Sequence, residues 1–111
     1  MAQKRELMKG NIDYLLLSLI GEQPMYGYQI IKELEERSEG YFKFKEGTLY
    51  PALHRLERDG LIQGKWQMLL GGRQRRYYHI TEKGRYTLVE KRNQWRDFLA
   101  AMNLIIKPAS A

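Results

Sequence analysis

The sequence predicts a mainly α-helical α+β fold with one small β-hairpin. Three observations carry this expectation. Apolar residues recur at helical spacing in four segments, two short alternating runs flank a Gly71-Gly72 pair, and a glycine or proline follows the end of each helical pattern.

The first helix is expected over about residues 5–20, where Leu7, Met8, Ile12, Leu15, Leu16 and Leu19 form a broad stripe that ends at Gly21. The strongly apolar run 14–20 falls far short of the roughly 20 residues needed to cross a bilayer, so it reads as buried helix and not as a span or a signal peptide. A second amphipathic helix follows Pro24 over residues 25–37, with Gly27, Ile30, Ile31 and Leu34 on one face and Ser38, Glu39 and Gly40 closing it. Residues 41–45, Tyr-Phe-Lys-Phe-Lys, alternate apolar and basic side chains and predict a very short strand.

The third helix starts between Glu46 and Thr48 and stops before Gly60. Pro51 near its front is tolerable in the first turn, where backbone N–H groups have no helical partner. Leu49, Ala52, Leu53 and Leu56 fall on one side, while Pro51, His54, Arg55 and Arg58 fall on the other. One side packs; the other is left to meet an anion. Residues 61–67 then take the period of a strand whose partner is 76–80, and residues 68–75 form the hairpin tip. Thr81 is a suitable N-cap for a last helix running to about Ile106, where Lys107-Pro108 stops it, a length of roughly 35 to 40 Å. Its second half carries Trp95, Phe98, Leu99, Met102, Ile105 and Ile106 in an apolar pattern that so small a body cannot cover. With no sequence left to cover it, a second copy related by a two-fold axis is expected.

A chain of 111 residues with 43% hydrophobic composition suits one compact unit: residues 1–81 forming the main body, residues 82–111 the last helix and tail. Lys and Arg number 19 against 13 Asp and Glu, for a net charge of +6. That balance favours a polyanionic partner, although charge of this size also serves solubility. The absence of cysteine excludes disulfides, thiolate metal sites and cysteine nucleophiles, and fits the cytoplasm. His54 and His79 lie on different elements without an acidic ligand cluster, and no glycine-rich phosphate loop follows a strand. Glu33, Glu35, Glu36 and Glu39 read as a solvated helix face, and Ser18 and Ser38 lack an evident base. No catalytic residue, metal or cofactor is therefore expected.

The order helix, helix, short strand, helix, hairpin, helix is that of a winged helix-turn-helix with an added dimerisation helix. Five segments then give a specific likeness: Tyr26-Gly27-Tyr28-Gln29-Ile30, Gly47-Thr48-Leu49-Tyr50-Pro51-Ala52-Leu53, Arg55-Leu56-Glu57, Asp59-Gly60-Leu61-Ile62 and Arg76-Tyr77-Tyr78-His79-Ile80-Thr81. In order and spacing, over nearly the whole chain, they resemble the PadR family of bacterial and archaeal transcriptional regulators, in its shorter subgroup with a single C-terminal helix. The resemblance implies a DNA-binding homodimer, usually a repressor released by a small molecule.

The residues support a DNA-facing surface on their own terms. Thr48, Tyr50, His54 and Arg55 on the third helix can reach phosphates and base edges, with Arg55 the best candidate for a guanine contact. Tyr26 and Gly27 open the second helix, where N–H groups and a hydroxyl can hold a phosphate. Gly72, Arg73, Arg75 and Arg76 charge the wing, and Lys4 and Lys9 make the start of the first helix basic. Each has a structural alternative: Pro51 can fix the helix start, Tyr50 can pack on the body, and Gly27 can permit close helix packing. Met68-Leu69-Leu70 departs from the polar wing usual in the family, and can fold back or form a contact surface.

In some members of the family a tryptophan at the place of Trp95 lines a cavity at the dimer interface and stacks on flat apolar ligands. The resemblance thus implies an effector site at Trp95, Phe98 and Leu99 with Met8 and Ile12; the alternative is plain interface core. The expectation is a cytoplasmic homodimer that represses from a two-fold symmetric operator on double-stranded DNA and is relieved by a small planar apolar effector. Two other readings are a protein-docking winged helix and a ligand-sequestering dimer with incidental DNA affinity.

Overall fold

Helical spacing in the sequence becomes four helices, joined by three strands, in the computed structural model, which describes residues 10–106. The order is α1 (Ile12–Glu22), β1 (Met25–Tyr26), α2 (Gly27–Arg37), α3 (Glu46–Arg58), β2 (Ile62–Met68), β3 (Gln74–Ile80) and α4 (Glu82–Ile105). The sheet is antiparallel with order β1-β3-β2, so the hairpin's second strand is its centre. Met25 pairs with Tyr78, and Trp66 with Arg76. The fold class is the α+β arrangement expected.

Every element contributes apolar side chains to one core: Leu16, Leu17 and Ile20 from α1, Met25 from β1, Ile30 and Leu34 from α2, and Leu49, Ala52, Leu53 and Leu56 from α3. Ile62, Tyr78 and Leu88 complete it from β2, β3 and α4. Complete burial of these leucines and isoleucines, at about 1.5 to 3 kcal/mol each, is the main favourable term of the fold.

Several local expectations are corrected. The third strand is not at 41–45, which carries no ladder; it is β1, at the two residues expected to open α2. The alternation at 41–45 instead reports burial, because Phe42 and Phe44 stack at 6.0 Å and pack against the core. Helix α1 runs through Gly21 to Glu22 rather than stopping at the glycine, where a Cβ would meet Leu88 at 3.0 Å. Residues 5–9 lie outside the described part, and within it the helix starts at Ile12 after Gly10 at φ +81°. Pro51 is the sixth residue of α3, beyond the first turn. It is exposed there, as is Gly47, whose carbonyl loses its helical donor on the side where water can replace it.

The hairpin tip is narrower than expected, because Met68 and Gln74 belong to the strands. Leu69 and Arg73 close it with an N–H donated to a carbonyl at 2.7 Å, and Gly71 and Gly72 take the left-handed conformation (φ +88° and +83°) that a tight tip requires. Met68 and Leu70 stand out in solvent and do not fold back.

Thr81 caps α4 as expected, its Oγ1 accepting the Gly84 N–H at 3.0 Å. Gly84 lies against the Leu61 carbonyl, so the helix enters the body at a point with no room for a side chain. Beyond Leu88 it leaves the core. Phe98, Leu99, Leu104, Ile105 and Ile106 are exposed, and the molecule measures 58 × 29 × 23 Å.

A methyl group at Gly84 must displace backbone, so Gly84→Ala is expected to destabilise by about 1 to 3 kcal/mol. Gly47→Ala, into helical backbone with open space around it, is expected to stabilise by about 0.5 to 1 kcal/mol. Chemical denaturation of the two variants checks the contrast.

Candidate nucleic-acid interface

Helix α3 buries one side fully and turns Gly47, Thr48, Pro51, His54 and Arg58 to solvent. The residues at the edges of that exposed face are held by neighbours. On one edge, Arg55 of α3 donates from Nη2 to Asp13 Oδ1 of α1 at 2.6 Å. This bond raises the guanidinium's already high pKa. Arg55, the candidate for a guanine contact, is therefore tied to the first helix in the free protein. On the other edge, Glu57 Oε2 accepts from Arg76 Nη2 at 2.6 Å and from the Gly64 N–H at 3.2 Å, binding α3 to both strands of the hairpin.

A Cβ at Gly64 would run into the Arg76 guanidinium, so the glycine leaves that guanidinium its place beside Glu57. Arg76 also lies over the rings of Trp66, at 5.6 Å, and Tyr78, at 5.9 Å. Arg75 lies over Tyr26 at 3.9 Å, and Tyr26 meets Tyr77 edge-on at 5.4 Å. Of the expected wing arginines, Arg75 and Arg76 are thus strand residues leaning on the body, and Arg73 with Gly72 occupies the tip. An open groove of about 820 Å³ runs between α3 and the hairpin, with His54, Tyr50, Trp66, Arg75 and Arg76 in its walls. Burial raises the pKa of Tyr78 at its edge.

Tyr50 and Gly27 are explained together. A Cβ at Gly27 would collide with the Tyr50 ring and hydroxyl, so the glycine gives the tyrosine its seat against the start of α2. Both residues do structural work in the free protein, and Tyr50 is half-buried as a result.

A shallow, open depression of about 370 Å³ lies between the start of α1 and the middle of α4, lined by Asn11, Gln94, Trp95 and Phe98. Trp95 Nε1 donates to Asn11 Oδ1 at 2.9 Å and its ring meets Phe98 edge-on at 5.6 Å. Of the residues expected at an effector site, Trp95 and Phe98 come together here; Leu99 is exposed outside it and Ile12 packs at the core edge. Met8, Lys4 and Lys9 fall outside the described residues. Asp13, Glu57 and Trp66 were missed by sequence reasoning. No local signal marks them, because both ion pairs join residues far apart in sequence. Among the described residues no group of three His, Cys, Asp or Glu can hold a metal, and no helix is long and apolar enough to cross a membrane.

A helix with one exposed face, set beside a β-hairpin on a small helical body, defines a winged-helix protein. The sequence signature described as "Transcriptional regulator PadR-like family" matches residues 16–90. The chain belongs to this family, whose members are transcriptional regulators and not enzymes. It is 35% identical over 88 residues to a transcriptional regulator of Mycobacterium tuberculosis, covering 79% of this chain and 78% of that one. The solved structure of a Clostridium thermocellum transcriptional regulator superimposes with a TM-score of 0.82 at 31% identity, covering 92% of this chain and 96% of that one. Bacillus subtilis PadR, solved in complex with operator DNA, shares the fold at a TM-score of 0.64 and 23% identity, over 71% of this chain and 45% of that one.

If Gly27 exists to seat Tyr50, Gly27→Ala lowers the thermal midpoint in the native background and has little effect when Tyr50 is already Ala. A double-mutant cycle on thermal unfolding reads the coupling, expected at about 1 kcal/mol or more.

Proposed function

We propose that this protein is a homodimeric repressor that binds a two-fold symmetric operator through α3 and the hairpin, in the cytoplasm, and is relieved by a small planar apolar effector. The exposed face of α3 beside the charged hairpin carries the reading. Thr48, His54 and Arg55 face base edges and phosphates, with Arg55 keeping donors beyond the one shared with Asp13. Tyr50 and Pro51 shape the helix at its contact. Tyr26 and Gly27, at the α2 N-terminus, hold a phosphate, while Gly72, Arg73, Arg75 and Arg76 follow the backbone beside them. Lys4 and Lys9 add to the attraction. The complex of Bacillus subtilis PadR with operator DNA supports the choice of partner.

The second copy is supported by the outer half of α4, where Phe98, Leu99, Met102, Leu104, Ile105 and Ile106 are all exposed in the single chain. Pairing these helices brings two recognition helices to one side of a duplex, at half-sites about one helical turn apart. An effector in the Trp95 cavity competes with or repacks the Trp95–Asn11 contact, and Asn11 adjoins the turn whose Asp13 holds Arg55. The cavity is thereby linked to the reading face through one helical turn.

One observation favours a second reading. Met68 and Leu70 are exposed apolar side chains at the hairpin tip, which suits docking on a partner protein. Salt separates the two. Duplex affinity measured by fluorescence anisotropy is expected to fall steeply between about 50 and 200 mM salt, and Arg73→Ala to weaken all duplexes alike while reducing the slope by about one. Salt-insensitive binding favours the docking module. For the dimer, Leu99→Glu with Ile105→Glu is expected to yield monomers in sedimentation equilibrium and to lose duplex affinity.

A further inference from the structure

The two shortest ion pairs among the described residues both flank α3: Arg55 with Asp13, and Arg76 with Glu57, each at 2.6 Å. They differ in kind. Glu57 also accepts the Gly64 amide and so anchors the hairpin, whereas the Asp13 carboxylate meets Arg55, 42 residues away in sequence. Asp13 is about one quarter exposed and Arg55 less than half exposed. Asp13 sits in the first turn of α1, where the helix's unpaired N–H groups favour a carboxylate. By contrast, Arg58 on the exposed face of α3 is largely exposed and meets the adjoining Asp59 at 3.2 Å.

Resting on the reading of α3 as the DNA-facing helix, we infer that Asp13 is a positioning residue for Arg55 that sets the protein's specificity for its operator over other DNA. A guanidinium free in solvent attracts any phosphate. One held by a carboxylate has its charge largely cancelled and its rotamers restricted, yet keeps donors on its remaining nitrogens. Held in this way, Arg55 gains little from sequence-independent phosphate contact and loses little entropy on meeting a guanine edge presented at the right place. Asp13 is itself a standing cost to any phosphate that approaches Arg55, since the phosphate must displace or face a carboxylate. Arg73, at the tip and away from the carboxylates of the described ion pairs, supplies the general attraction instead.

The test uses the whole 111-residue chain in its solution assembly and two probes: a duplex selected by the native protein from a randomised pool, and poly(dI-dC). Asp13→Ala is expected to bind poly(dI-dC) several-fold more tightly, with a salt slope steeper by about 0.9, and the ratio of selected to non-selected affinity is expected to fall about fivefold or more. Asp13→Asn is expected to act in the same direction. In an Arg55→Ala background the substitution of Asp13 is expected to leave the ratio unchanged. A structural role alone lowers the thermal midpoint without steepening the salt slope, and that outcome overturns the inference, as does an unchanged ratio in Asp13→Ala while Arg55→Ala lowers it. If Arg55→Ala itself leaves the ratio intact, or the pool yields no preferred duplex, the underlying reading of α3 fails as well.

Discussion

The constraint on which the whole structure depends is that α3 must be buried along one side and bare along the other. Leu49, Leu53 and Leu56 are sealed by α1, α2 and the sheet. The opposite face has only a proline, a histidine, small residues and an arginine at a helix spacing that leaves nothing to pack. Such a helix cannot be steered from its solvent side, so its azimuth is fixed at the edges. Asp13 grips Arg55 from α1, Gly27 receives Tyr50 from α2, and the hairpin grips Glu57 through Arg76 and Gly64. These three attachments come from three different elements, and together they hold the bare face in one orientation relative to the wing.

The same attachments explain why charge counted from the sequence overstates the charge offered to a partner. Arg55 and Arg76 are each neutralised by a carboxylate, and Arg75 lies on an aromatic ring. A surface of this kind discriminates by geometry more than by field strength, because paired guanidiniums contribute less to diffuse attraction than to contacts at fixed positions.

Much of the fold was legible because it follows from burial alone. The apolar spacing of Leu49, Ala52, Leu53 and Leu56 located α3, Gly60 its end, and Thr81 the start of α4, each for a local physical reason. The short strand was misplaced because a two-residue ladder at Met25 and Tyr26 is decided by a distant partner, Tyr78 and Tyr77, and leaves no local period. Phe42 and Phe44 alternate for packing, not for pairing. At the candidate site the cationic residues were legible and their partners were not. Nothing local links Asp13 to Arg55 or Glu57 to Arg76, since both pairs exist only once the helices and hairpin have met. Whether Tyr50 and Gly27 serve scaffold or contact was open in sequence, and their mutual fit shows that they serve the scaffold in the free protein.

On the proposed function, two copies of this face meet one duplex. Hydroxyl-radical footprinting of the full-length protein on a duplex selected from a randomised pool tests it most directly. Two equivalent protected segments are expected, symmetric about a centre and about one helical turn apart, with further protection where the wings follow the backbone. A single unsymmetrical footprint, or none at concentrations that retard the duplex, would contradict it.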